Sequence, residues 1–544
     1  MLRSSVTRSA LLLSTLVAFS AVSCGGTDST GSVDDGQKSE DDFTSNQAAL
    51  LDFDFDGELV TDAYGSPPSL IEAQLLYTIG HLNEQNSVGR LDKVALTNVQ
   101  TTTLGDGRKK ITYHASLPVA WGTKSNFPTT YTFKLPADVS YAGQEAFTAK
   151  YKANCVDSSA HDVNAGDMWY YYRPGRCTLD AADIFSTTAT IAPSAENTTG
   201  KYPEYDRVWA DNELHVVSIF GKYEDGKTSN SDAGIAAYNR FLADSKKAIQ
   251  AFNPTSEPAN VAANPGVATP DVTYSATLPD GRKVVITALL VDSVTSMSQA
   301  ASDRYEALSA NADLIAYNGH AGLGQNVRAL AAMGTWQVGK YVIVFMNGCD
   351  TFAYVDGSLA KTRAEINGDD PEGTKYLDFV TNSMPSFFSS MSNATSTIVK
   401  GLLRYDTPMT YEQIFEGIDD AQFVLVTGEE DNTYSPEVTP PPPPPAGWTG
   451  LNEAFSIARQ AERRFETGVL PAGSYQFTIS GTGDADLYVK SGDRATTTTY
   501  DCRPYRSDSN ETCTVTLTQP TDVSVLVRGY KATSDVTIVG AASN

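Results

Sequence analysis

Four apolar runs separated by amphipathic stretches occupy residues 212–430 and restrict what this chain can fold into. "LHVVSIF", "KVVITALLVD", "DLIAY" and "YVIVFM" carry few polar residues, so strands built from them have no face suited to water and belong in a sheet covered on both sides. Between them, "DAGIAAYNRFLADSKKAIQAF" sets Ile235, Tyr238, Leu242, Ile249 and Phe252 on one helical face. "SMSQAASDRYEALSANA" does the same with Met297, Ala301, Tyr305 and Leu308, and "QNVRALAAMG" is helix-compatible. This alternation predicts an α/β domain over residues 206–432, a mostly parallel sheet flanked by helices. Ligand sites in such sheets lie beyond the carboxyl ends of the strands.

The flanking regions read differently. Residues 46–205 open with a helical pattern, "SLIEAQLLYTIGHLNEQ", followed by strand-like runs that include "KKITYHASLPVAW", "TTYTFKL" and "DMWYYYRP", which predicts a mixed, mostly β domain. Within it, "DFDFDGEL" places Asp52, Asp54 and Asp56 ahead of Gly57 as a calcium loop would. The closing bidentate Glu is replaced by Ala63, so an edge strand bearing exposed aspartates is the preferred reading. Six consecutive prolines within residues 433–447 form an extended spacer. The remaining 448–544 alternate apolar and polar residues between Gly, Pro and Asp turns, the pattern of a small β-sandwich.

The N-terminus bears on compartment. Arg3 and Arg8 precede an apolar stretch from Ala10 to Val22, which makes residues 1–24 a secretory signal too short to be a spanning helix. Its end, Ala21-Val22-Ser23-Cys24, resembles a bacterial lipobox, which implies lipid attachment at Cys24 and a membrane-tethered cell-surface or outer-membrane protein. Ala21 stands where that motif usually has Leu, so release as a soluble secreted protein is the alternative. Residues 25–45 are small, acidic and poor in large apolar side chains, a tether that cannot bury enough surface to fold. A formal charge of −25 repels phosphate backbones, and nucleic acid is excluded as a partner. In an oxidising compartment, Cys155 with Cys177 and Cys502 with Cys513 each close a short loop as disulfides, although other pairings satisfy the sequence too. With Cys24 given to lipid, Cys349 is left alone.

Cys349 follows the strand "YVIVFM", and His320 follows the strand "DLIAY". If the strands are neighbours, both side chains leave the sheet at one edge, among Gly319, Gly322, Gly324 and Gly348. Taken singly, a cysteine or a histidine at a strand end is ordinary packing. Together they suit a thiol nucleophile with its acid and base. There is no H-E-x-x-H for a zinc peptidase, no G-x-S-x-G elbow and no phosphate-binding loop. Cys155 and Cys177 lack zinc-ligand spacing, and His161 reads as a loop residue.

Two resemblances follow from these residues. "AGSYQFTISGTGDADLYVKSG", "YDCRPYRSDSNETC" and "VLVRGY" resemble the bacterial pre-peptidase C-terminal domain, appended to secreted peptidases, some members of which bind calcium or insoluble substrate. Asp484 and Asp486 are then either calcium ligands or, the preferred reading, turn carboxylates. The His320 and Cys349 blocks resemble the caspase-like cysteine peptidases, a group that includes gingipain, clostripain and the caspases. That resemblance implies a Cys349 thiolate nucleophile, His320 as proton donor and acceptor, and an oxyanion hole from the backbone amides of Ala321 and Cys349. The family has glycine where Ala321 stands, so its amide serves only if its backbone is not in a glycine-only conformation. The function expected is a cell-envelope cysteine endopeptidase acting on protein or peptide substrates with no required cofactor. The alternative is a non-catalytic surface-binding lipoprotein on the same scaffold. Asp350, beside the nucleophile, suggests a preference for a basic residue beside the scissile bond, but adjacent side chains diverge.

Overall fold

The computed structural model describes residues 42–542 except 125, 159, 161, 162, 355, 429–431, 433 and 437–449. The signal segment, Cys24, the tether up to residue 41, His161 and the proline spacer lie outside the described residues. The chain divides into two compact units at Asn432/Thr433, so the regions 46–205 and 206–432 share one unit. No described helix is long and apolar enough to cross a membrane.

Strands Leu314–Asn318, Val342–Asn347 and Leu377–Asn382 are buried at every position, as their composition requires. They lie within a nine-stranded sheet ordered Thr44–Ser45, Val424–Thr427, Leu377–Asn382, Val342–Asn347, Leu314–Asn318, Glu213–Gly221, Lys283–Val291, Asp271–Thr277, Thr255–Glu257. The five central strands, Leu377–Asn382 through Lys283–Val291, are parallel, and the pairs on either flank are antiparallel. Glu213–Gly221 is first of the five in the chain. Its successor Lys283–Val291 lies on one side and the next three on the other, so the strand order reverses between Glu213–Gly221 and Leu314–Asn318. In sheets of this kind such a reversal is where a crevice forms at the carboxyl edge.

Helices Ala233–Ala248 and Phe388–Leu402 pack together on one face, where Phe220 meets Tyr238 and Phe241. The opposite face presents Val217, Ile219, Ile315, Tyr317, Val342, Val344 and Met346, whose core runs on without a break into the mostly β domain. Helices Gln299–Ser309 and Gln325–Met333 belong to the same side.

In the mostly β domain the antiparallel sheet is ordered Val88–Gly89, Lys109–Trp121, Ala49–Thr61, Ile184–Pro193, Thr130–Pro136, with Ala95–Thr103 also pairing with Lys109–Trp121, and it carries the helix Pro67–Asn83. "DFDFDGEL" lies inside Ala49–Thr61, which has neighbours on both sides over Leu51–Asp54 and is therefore not an edge strand there. Asp52, Asp54 and Asp56 share one face while Phe53 and Phe55 fill the other, an extended geometry that cannot wrap an ion. Two further expectations change. Thr44 and Ser45, grouped with the tether by composition, pair with Val426 and Leu425 at the edge of the large sheet. "DMWYYYRP" forms a helical turn, Met168–Tyr171, because Trp169 and Tyr172 are drawn into the core beside Gly80. A Cβ at Gly80 would lie 2.3 Å from the Trp169 carbonyl oxygen, so only glycine allows this contact.

The second unit is a sandwich of two antiparallel sheets. One is ordered Leu451–Ala458, Thr533–Ala542, Gly473–Gly481, Glu511–Leu517, and the other Glu462–Leu470, Thr521–Gly529, Ala485–Ser491. Phe477, Ile479, Leu487, Val489, Val525, Val527 and Ile538 fill its core. The disulfides Cys155–Cys177 and Cys502–Cys513 are both formed, and Cys349 is the free cysteine among the described residues.

Candidate active site

Asn318 and Asn347 end neighbouring parallel strands and lie in register with one another. His320 and Cys349 each follow two residues later, so one register places both beyond the same edge. The exits are tightly apposed: the Gly319 amide donates to the Asn347 carbonyl at 3.2 Å. A Cβ at Gly348 would lie 2.9 Å from the Gly319 carbonyl oxygen and 3.2 Å from the Ala321 nitrogen, so a side chain there would push the two loops apart.

The exposed His320 ring lies against Tyr223 and Phe388, with ring centroids 5.3 and 5.0 Å away. Its Nε2 lies 3.0 Å from the carbonyl oxygen of Tyr223, the second residue beyond Glu213–Gly221 and hence across the crevice. A carbonyl only accepts, so Nε2 carries a proton, and in the neutral ring Nδ1 is the basic nitrogen. The carbonyl is itself held in place. The Asp232 carboxylate caps helix Ala233–Ala248 by accepting from the Gly234 and Ile235 amides at 2.9 and 3.0 Å. It also accepts from the Tyr223 and Glu224 amides, both at 3.1 Å. Burial alone would raise the Asp232 carboxyl, but these four amides hold it below the usual carboxylate range.

Ala321 has φ −66° and ψ −24°, a conformation open to any residue. Among the described residues, the Ala321 amide donates to no carbonyl or side chain, and the Cys349 amide faces its own sulfur. Two amides on the apposed loops beside a thiol can stabilise a developing oxyanion. Leu323 and Asp350, flanking the pair, adopt left-handed backbone at φ 50° and 52°.

The Cys349 thiol is half-buried and donates to the Ser386 carbonyl at 3.4 Å. Burial, with the adjacent Asp350 adding to it, pushes the thiol up to about 11. Asp350 is fully buried and shifted to about 6 by desolvation, against the opposing pull of Arg173, Asn83 and Tyr170. All three belong to the mostly β domain, and Tyr170 also lies beside the thiol. The turn carrying it is fixed by Trp169 packing on Tyr354 and by Arg173 donating to the Gly80 carbonyl at 2.8 Å.

Under the site runs a ladder of buried amides that the sequence reading overlooked. Asn347 Nδ2 donates to Asn318 Oδ1 at 2.9 Å, and Asn382 Nδ2 to Asn347 Oδ1 at 3.0 Å. Thr395 donates to Asn318 at 2.6 Å, Ser386 to Asn347 at 3.0 Å, and Gln422 to Ser386 at 2.7 Å. Each of the three asparagines closes a parallel strand, so the endings "AYN", "FMN" and "VTN" were the available signal. A separate cavity of about 660 Å³, lined by Asp244, Lys247, Arg282, Lys400 and Asp406 among others, sits at the amino edge of the strands and holds no nucleophile. In the sandwich, Asp486 is buried in an ion pair with Arg503 at 2.8 Å, while Asp484 forms the turn before it. Asp486 thus has the Arg503 guanidinium as its cationic partner.

The fold and site thus define a mixed α/β unit with histidine and cysteine at adjoining parallel strand ends, in a chain that also carries a small disulfide-bonded β-sandwich. Residues 469–529 of the sandwich match the bacterial pre-peptidase C-terminal domain. Over that region the chain is 44% identical across 81 residues to a virulence metalloprotease of Vibrio anguillarum, covering 15% of this chain and 13% of the relative. It is 45% identical across 91 residues to a zinc metalloprotease of Helicobacter pylori, covering 16% and 34%. An alkaline serine exoprotease A of Vibrio alginolyticus is 47% identical across 58 residues, or 11% of each chain. The solution structure of vEP C-ter 100 matches at 36% identity and a TM-score of 0.15, covering 16% of this chain and 87% of that one. The chain therefore spans between about a tenth and a third of these curated proteases, whose names include metallo and serine types.

Proposed function

We propose that residues 206–432 form a caspase-like cysteine endopeptidase domain acting on protein or peptide substrates through His320 and Cys349, in an exported protein tethered by lipid at Cys24. The observation that carries this reading is the bond from His320 Nε2 to the Tyr223 carbonyl across the crevice, with Cys349 leaving the adjoining strand. It orients the imidazole through Nε2, leaving Nδ1 as the nitrogen that takes the thiol proton. The sulfur then attacks the scissile carbonyl, the Ala321 and Cys349 amides hold the oxyanion, and the imidazolium protonates the departing amine. Water activated by the same nitrogen releases the thioester. The appended pre-peptidase C-terminal domain supports a protease setting and says nothing of the nucleophile. No step needs a cofactor or a metal.

The test is thiol reactivity. Iodoacetamide labelling of the native chain, followed by intact mass across pH, is expected to modify Cys349 in a fast phase that His320→Ala removes. A Cys349 that stays unmodified until the protein is denatured would sink the enzyme reading. One observation favours a second reading, a binding lipoprotein on this scaffold: the thiol held at about 11 is a poor nucleophile at neutral pH.

A further inference from the structure

We propose that Tyr223, Leu323 and Phe387 form the substrate-facing rim of the His320/Cys349 site, and that it takes peptides with an apolar side chain, aromatic or branched aliphatic, beside the scissile bond. This deepens the dyad reading and rests on it.

The three residues come from three loops, each leaving the carboxyl end of a parallel strand: Glu213–Gly221, Leu314–Asn318 and Leu377–Asn382 respectively. They are 50%, 39% and 59% exposed, although other apolar residues near the site, Ala321 and Phe388 among them, are buried. Each is tied to the site. The Tyr223 ring packs on His320 and its carbonyl holds Nε2. Phe387 lies between Ser386, whose carbonyl accepts from the Cys349 thiol, and Phe388, whose ring packs on both His320 and Tyr223. Leu323 lies three residues beyond His320.

Leu323 is the most telling of the three. It sits at φ 50° and ψ 41° between Gly322 and Gly324, which also have positive φ. The backbone here favours glycine at all three positions, yet the central one carries an exposed leucine. Neither backbone preference nor core packing accounts for a large apolar side chain there, whereas contact with a ligand does. Charge points the same way. Asp350, the acid next to the nucleophile, is fully buried beneath the mostly β domain and does not reach the open side of the site.

The experiment uses the full chain and four peptidyl acyloxymethyl ketones that differ only in the residue beside the ketone: Leu, Phe, Asp or Lys. The cysteine sulfur displaces the acyloxy carboxylate, and the Cys349 adduct is followed by mass. Every rate is divided by the iodoacetamide rate of the same protein. Leu and Phe probes are expected to react at least tenfold faster than Asp and Lys probes. Leu323→Gly, which relieves the backbone and folds readily, and Phe387→Ser are each expected to bring that ratio towards one. Equal rates for the four probes, a faster Asp or Lys probe, or an unchanged ratio in both variants overturns the proposal while leaving the dyad intact. Absence of iodoacetamide labelling ends both and is recognised by that control.

Discussion

Asn347→Asp is the sharpest probe of the buried ladder, because it changes one atom and reverses two hydrogen bonds. Asn347 Nδ2 donates to Asn318 Oδ1 at 2.9 Å and to the Met391 carbonyl at 3.2 Å, in a site with no solvent exposure. An aspartate keeps the acceptor for Asn382 and Ser386 but sets an oxygen against two other acceptors. When protonated it restores one donor, so the cost at low pH is one net hydrogen bond, about 1 kcal/mol. When ionised it is a buried charge facing oxygens, and such carboxyls rise by up to about 3 pKa units, or about 4 kcal/mol. The sign follows from proton counting. Above an unfolded pKa of about 3.9 the unfolded chain releases a proton that the folded chain retains, so stability falls as pH rises. The variant should therefore be about 1 kcal/mol less stable than wild type at pH 4 and about 4 to 5 at pH 7.5. Tryptophan fluorescence during urea unfolding reads this out, since Trp121, Trp169, Trp209 and Trp336 all lie in the unit that carries the ladder. A wild-type-to-variant difference that is the same at both pH values would falsify a buried, fully engaged Asn347.

Two further outcomes follow. His81 lies in the core of the mostly β domain, where it contacts the Tyr131 hydroxyl at 2.7 Å and accepts from the Lys134 amide at 3.2 Å, and burial lowers it to about 4. Its neutral form is favoured in the folded state, so stability should fall by about 3 kcal/mol as pH drops from about 6.5 to 4; a His81→Gln variant that keeps the wild-type slope over that window would contradict this. Asp232→Ala should cost about 1 kcal/mol as a lost helix cap and, by freeing the Tyr223 carbonyl, slow the His320-dependent labelling of Cys349 about tenfold. Asp232→Asn keeps most of the acceptor set and should restore the labelling rate. Equal loss in both variants, or none in either, removes Asp232 from any positioning role.

The apolar runs made four of the five parallel strands legible because strands covered on both faces need no alternation. The fifth, Leu377–Asn382, was hidden by Asp378, whose charge looks out of place in a buried strand. Its neutralisation is tertiary: Lys201 lies 3.2 Å away, and the hydroxyls of Tyr341 and Tyr411 donate at 2.5 Å. No local pattern announces partners 33 to 177 residues distant in the chain. His320 and Cys349 were readable as side chains at strand ends, and the register brings their exits together. The group that orients His320 was not readable, because it is a main-chain carbonyl and any residue type at position 223 supplies one. The aromatic turn at Met168–Tyr171 was misread because "MWYYY" has strand composition, while its conformation is set by close contact with Gly80 on another element.

That turn also changes what the solitary cysteine means. Tyr170 and Arg173 lie within the loop closed by Cys155–Cys177, so the disulfide restrains the segment that sits beside Cys349 and over Asp350. The same covering buries Asp350, and a buried acid next to a thiol raises it. Burial under the mostly β domain and the upward shift of the Cys349 thiol thus share one cause. On the proposed reading, transient displacement of the Tyr170 turn in the native chain rehydrates Asp350 and Cys349 together and lowers the thiol, which is what admits the fast labelling phase. A cysteine that were only packing would gain nothing from a histidine aligned by a pinned carbonyl. On the proposed reading, the left-handed backbone at Leu323 and Asp350 and these groups serve a thiol that is at times uncovered.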